Sequence, residues 1–252
     1  MENKQALFNY ALRLGDNALI LGHRLSEWCG HGPELEEDIA LINVSLDLLG
    51  HSRSLLTYAG EVEGKGRGED ELAYTRLERE YTNALICELP NGHFGDTMAR
   101  QFLVDLFNQL LFTELVNSKD ERLAAIAAKA IKEISYHVRH SSDWVLRLGD
   151  GTEESHNRMQ QSFDSIWEFT GDLFVQNEVD QWAIANGIGP DLSVLHQTWK
   201  AKVVQVLTEA TLKVPSDGWM QHGSKTGTHT EYFGFLLAEL QYMQRAMPGC
   251  EW

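Results

Sequence analysis

Apolar residues recur three and four positions apart along most of this chain, for twenty or more residues at a time, with no proline to interrupt them. Leu7, Ala11, Leu14, Ala18, Leu21 and Leu25 mark such a stripe, the spacing that lines one face of an α-helix. Proline cannot sit inside a helix without losing a backbone hydrogen bond, and only 5 of 252 residues are proline. No run of short alternating segments between turn signals suggests strands. The pattern predicts an all-α protein, with helices over about 5–28, 34–61, 69–87, 96–117, 121–148, 152–174, 178–185, 193–212 and 231–246. Cys29-Gly30-His31-Gly32-Pro33, Pro90-Asn91-Gly92-His93 and Gly149-Asp150-Gly151 are the turns, and 214–230 is the longest loop. In the third helix Leu72, Leu77, Tyr81 and Leu85 are expected to face inward. The fourth is apolar on nearly every side from Phe102 to Leu115, so it is expected at the centre of its packing. The whole of 1–252 reads as a single helical domain.

Charge narrows the function. With 37 acidic against 21 basic residues the net charge is −16, which repels a phosphate backbone and makes nucleic acid a poor partner. No stretch of about 18 apolar residues is available to span a membrane. Residues 1–5 lack the layout of a secretion signal, which places the protein in the cytoplasm. Cys29, Cys87 and Cys250 then read as reduced thiols, the first two as packing groups. Gly64-Lys65-Gly66-Arg67-Gly68 has no Gly-Lys-Ser/Thr ending and is not a phosphate-binding loop. Lys65, Arg67, His222 and Lys225 read as solvated loop charges, with contact to a nucleotide phosphate as the sharper reading. Trp144, Trp167, Trp182, Trp199 and Trp219 are candidate anchors for a partner protein, although tryptophan serves a core equally well.

One echo carries chemistry. The second helix holds Asp47-Leu48-Leu49-Gly50-His51-Ser52-Arg53 and the fifth holds Glu133-Ile134-Ser135-Tyr136-His137-Val138-Arg139. Each has an acid four residues before a histidine and an arginine two after it, late in the second helix of a long hairpin. Two such hairpins make the bundle of the di-iron carboxylate proteins, in which Glu-x-x-His pairs and further glutamates ligate the metals. Here the position three before each histidine is Leu48 or Ile134, which offers a cation no lone pair. Asp47 and Glu133 share a helix face with His51 and His137 and suit hydrogen-bonded pairs as well as ligands. Asp16 is the one acid inside the first helix, and Asp105 and Glu114 are those of the fourth. That set falls short of the four carboxylates and two histidines of a working centre, and the pairs read as remnants of one. A di-iron oxygenase ligated through Asp47, His51, Asp105, Glu133 and His137 is the alternative. An iron-storage cage, a third class, would want the missing Glu-x-x-His.

Leu12-Arg13-Leu14-Gly15-Asp16-Asn17, Leu25-Ser26-Glu27-Trp28-Cys29-Gly30-His31-Gly32-Pro33-Glu34-Leu35-Glu36, Leu46-Asp47-Leu48-Leu49-Gly50, Pro90-Asn91-Gly92, Lys129-Ala130-Ile131-Lys132-Glu133, Tyr136-His137 and His229-Thr230-Glu231, with Leu237-Ala238-Glu239, run nearly end to end. On these stretches the chain resembles the C-subunit family of the phenylacetyl-CoA epoxidases, multicomponent monooxygenases of bacterial phenylacetate breakdown. The resemblance implies a ferritin-like bundle with no cofactor or catalytic residue of its own. It implies pairing with a catalytic A subunit that holds the di-iron centre and the acyl-CoA. A small B subunit would bridge such heterodimers, and a reductase with flavin and an iron–sulfur centre would bring electrons from NADPH. The A subunit's ligand glutamates would map onto Leu48 and Ile134, its histidines onto His51 and His137, and another ligand onto Asp105.

Overall fold

A computed structural model describes residues 3–250, and among them every regular element is helical. The α-helices are α1 (Asn3–Ser26), α2 (Leu35–Glu63), α3 (Glu69–Tyr74), α4 (Phe94–Leu115), α5 (Glu121–Gly149), α6 (Glu153–Ile166), α7 (Glu178–Asn186), α8 (Leu192–Glu209) and α9 (Phe233–Ala246). Short 3-10 turns cover Glu78–Glu80, Leu85–Glu88, Trp167–Phe174 and Ser224–Thr226. The fold is all-α and of the ferritin-like helical-bundle class, with two long hairpins, α1–α2 and α4–α5, and further helices after them. No described helix is long and apolar enough to cross a membrane.

Contacts divide the described chain into two compact units. The first contains the residues up to Pro90 and those from Gly223 onward; the second is Asn91–His222.

In the first unit α1 and α2 lie antiparallel and close. A Cβ on Gly15 would come within 2.6 Å of the Leu56 side chain, so any larger residue there would force that buried leucine to shift. The Ser45 hydroxyl donates to the Gly22 carbonyl at 2.8 Å across the same seam. Gly64, with φ +68, ends α2 in the left-handed conformation that a side chain disfavours.

The helix expected over 69–87 is not formed; α3 stops at Tyr74. Its continuation is claimed by α1. Buried Asp16 binds the Arg76 guanidinium through both terminal nitrogens and accepts the Thr82 amide at 3.1 Å. The Ala84 amide donates to the Asn17 side chain at 2.7 Å. Backbone donors that a helix would pair internally are taken by side chains far away in sequence, and the chain turns and extends instead. Leu77 consequently points out, 62% exposed, while Leu72, Tyr81 and Leu85 are buried as expected.

The segment from Gly223 closes this unit through a buried carboxylate. Glu88, fully buried, accepts from Asn83 at 3.0 Å and from the Thr230 amide and hydroxyl at 2.8 and 2.7 Å. His229 Nδ1 lies 2.5 Å from the same carboxylate, its Nε2 3.1 Å from the Tyr81 carbonyl, and its ring stacks on Phe233. Gln241 of α9 donates to the Arg76 carbonyl at 2.9 Å and the Tyr81 hydroxyl at 3.0 Å. Burial is the main force raising that hydroxyl's pKa to about 12.

In the second unit α4 is the central element, packed by α5, α6 and α8 and buried without a break from Thr97 to Phe107. Trp167 and Trp199, expected as possible anchors, are core: they stack at 5.8 Å, and the Trp199 indole N–H donates to the Leu103 carbonyl at 2.9 Å. Trp144 and Trp182 are half-buried, leaving Trp219 as the exposed one of the five. The helix expected over 152–174 tightens into a 3-10 turn at Trp167, where the Glu168 carbonyl accepts the Gln221 amide at 2.8 Å. Cys29, expected as a packing group, is exposed, whereas Cys87 is buried.

Candidate functional site

The residues singled out on α2 fall in the first unit. His51 is buried at 6% exposure, and Leu48, one turn earlier, is buried at 1% with its Cβ against Gly22. Asp47 is half-buried. Beside them the Ser52 hydroxyl is buried without a hydrogen-bond partner, and it lines a cavity of about 380 Å³ with Leu19, Leu49, Leu56 and Tyr74. Asp16, the only acid inside α1, is spent on Arg76 and Thr82.

Those on α4 and α5 fall in the second unit. His137 and Ile134 are each 1% exposed, Asp105 is 2% exposed and Glu133 is half-buried. Periodicity explains the burial: residues 123, 127, 130, 134, 137, 141 and 145 are the buried face of α5. Ser141, one turn beyond His137, donates its hydroxyl to Asp105 Oδ2 at 2.9 Å. Asp105 Oδ1 and both polar atoms of Gln101, one turn before it on α4, are buried without partners. Burial pushes the Asp105 carboxyl up to about 7, against the opposing pull of the Ser141 hydrogen bond and of Arg100.

Leu48 and Ile134 stand three residues before His51 and His137, where a Glu-x-x-His pair carries its acid. Among the described residues no group of three or more histidine, cysteine, aspartate or glutamate side chains gathers that could hold a metal ion. Two of the basic loop residues are engaged: Arg67 grips Glu63 at 2.6 and 2.8 Å, and Lys65 reaches the same carboxylate at 3.1 Å.

Sequence reasoning missed the polar networks that organise the first unit. Asp16 drew notice only as a possible ligand, and nothing local connects it to Arg76, 60 residues on. Glu88 gave no signal beyond an acid next to an apolar run. His229 and Thr230 entered only through the family resemblance. Gln101 was not singled out at all.

The fold defines a ferritin-like helical bundle in which buried histidines follow apolar residues on α2 and on α5. Residues 1–252, the whole chain, match the model of the family described as phenylacetic acid catabolic protein, and the chain belongs to that family. It is similar to the C subunit of the 1,2-phenylacetyl-CoA epoxidase of Escherichia coli (strain K12), at 51% identity over 243 residues, covering 96% of this chain and 98% of that protein. The resemblance read from the sequence stretches is borne out.

Proposed function

We propose that this chain is the non-catalytic structural subunit of a multicomponent phenylacetyl-CoA epoxidase of aerobic phenylacetate catabolism. The observation that carries the reading is the pair Leu48 and Ile134, each 1% exposed, standing one turn before the buried His51 and His137. Iron clusters that activate dioxygen need anionic oxygen ligands to balance their charge, and these side chains supply none. The E. coli relative, itself the C subunit of an epoxidase, supports the same reading.

The chain then acts in the cytoplasm as a scaffold for a catalytic A subunit. It covers an apolar face of that subunit in a permanent heterodimer and holds its metal-bearing helices in place. The A subunit holds the two irons and the acyl-CoA, and one oxygen atom enters the aromatic ring to give the 1,2-epoxide. A small B subunit bridges heterodimers, and a flavin and iron–sulfur reductase delivers electrons from NADPH. This chain contributes no cofactor.

Reconstitution tests the proposal. The chain, expressed in iron-supplemented cells and dialysed, should retain no stoichiometric iron and show no oxygenase activity alone. Adding it to the A subunit should raise that subunit's stability and turnover. His51→Ala and His137→Ala variants that assemble should support near-normal turnover. Two irons per chain retained through dialysis, or loss of turnover in the assembled histidine variants, would overturn the assignment.

A further inference from the structure

Helix α2 carries two apolar faces, and α1 covers one of them. Leu41, Val44, Leu48, Leu55, Leu56 and Ala59 are buried on that inner side. On the other side Leu35, Ile39 and Leu46 are 71, 51 and 60% exposed, and Ile42 is half-buried. A single exposed leucine needs no explanation, but these four stand at 35, 39, 42 and 46. The alternation of four and three is the heptad spacing, which keeps a seam of side chains facing one neighbouring helix along its length. At 1.5 Å per residue the seam runs about 17 Å. Pockets for small molecules and edges for added strands do not call for this period; a helix does.

Charge identifies which helix. No lysine or arginine occurs between Arg24 and Arg53, while Glu34 and Glu36 are exposed and Glu37, Asp38 and Asp47 are half-buried along the same element. A second copy of this chain would bring the same acidic flanks against the first, and like charges across a seam are unfavourable. We infer that the outer face of α2 is a docking surface for a helix of a different subunit, one with its own apolar heptad stripe flanked by lysine and arginine. This rests on the subunit reading above and specifies the surface and the chemistry of the partner.

Hydrogen exchange and affinity measurements on the co-expressed epoxidase subunits test it. Three chains are compared: wild type, Ile39→Glu/Leu46→Glu, and Phe235→Glu/Tyr242→Glu on α9, whose substituted side chains are also exposed. Because every substituted residue is on the surface, each chain should keep its helical circular dichroism and melting temperature. Wild type should assemble, with amide protection gained over 35–53, and binding should weaken as salt rises. The α2 variant should bind at least a hundredfold more weakly, and the α9 variant should bind like wild type. Equal assembly of wild type and the α2 variant, protection confined to α9, or an α2 variant that loses only self-association would overturn the docking surface alone. A wild-type chain that assembles with no epoxidase subunit overturns the subunit reading and this inference together.

Discussion

Removing the Asp16 carboxylate should be among the most damaging single changes to the first unit. Asp16 is fully buried, and the Arg76 side chain opposite it is 2% exposed. Arg76 also donates to the carbonyls of Leu72 and Glu80, so its guanidinium cannot swing to water without breaking the turn it organises. In Asp16→Ala the charge stays in place without its counter-ion, a loss of roughly 3–5 kcal/mol for a buried pair. The Thr82 amide loses its acceptor as well, a term of about 1–3 kcal/mol that overlaps the first. A combined cost near 4 kcal/mol should lower the melting temperature by about 10 °C and shift the denaturant midpoint. Hydrogen exchange should show the Thr82 amide among the first to lose protection. The double variant Asp16→Leu/Arg76→Met, which removes both charges and keeps apolar volume, should recover most of the loss. A single variant costing less than about 1 kcal/mol, or a double variant no better than the single, would refute the claim that this ion pair fixes the segment after α3.

Asp105 predicts a pH dependence of the opposite sign to that of most carboxylates. Its folded value of about 7 lies above the ordinary value of 3.8, so the folded chain binds the extra proton between those values and stability falls as pH rises through that window. The total is up to about 4 kcal/mol, and urea unfolding of Asp105→Asn across pH 4 to 8 should show it largely gone; an unchanged slope would contradict the burial argument. Glu88→Ala should cost roughly 3–5 kcal/mol, since it strips acceptors from His229, Thr230 and Asn83 at once. Limited proteolysis should then cut within 223–233 long before the rest of the chain, and native-like resistance there would sink the idea that Glu88 secures this segment.

Much of the fold could be read from local patterns because the long helices are set locally. Stripes such as Leu7 to Leu25, and turns such as Gly30 to Pro33, placed α1, α2, α4 and α5 within a few residues. The third helix failed because its pattern is ambiguous. Leu72, Tyr81 and Leu85 satisfy a helical stripe, yet what decides the backbone is a carboxylate on α1 that periodicity does not register. Residue type did not separate the tryptophans, but element context did for two of them: Trp199, in the helix expected over 193–212, is buried, and Trp219, in the loop expected over 214–230, is exposed. For the site, the spacing was enough to mark Leu48 and Ile134 as apolar residues in polar positions. Depth of burial, and the upward displacement of the Asp105 carboxyl, needed coordinates.

The first unit is interrupted: its chain leaves at Pro90 and returns at Gly223 with all of Asn91–His222 made in between. During synthesis the ribosome finishes one whole unit before the residues that cap Glu88 exist. Until His229 and Thr230 emerge, the segment after α3 exposes an acid meant for a dry interior. The final locking of this unit is therefore a late event, timed by the order in which the message is read.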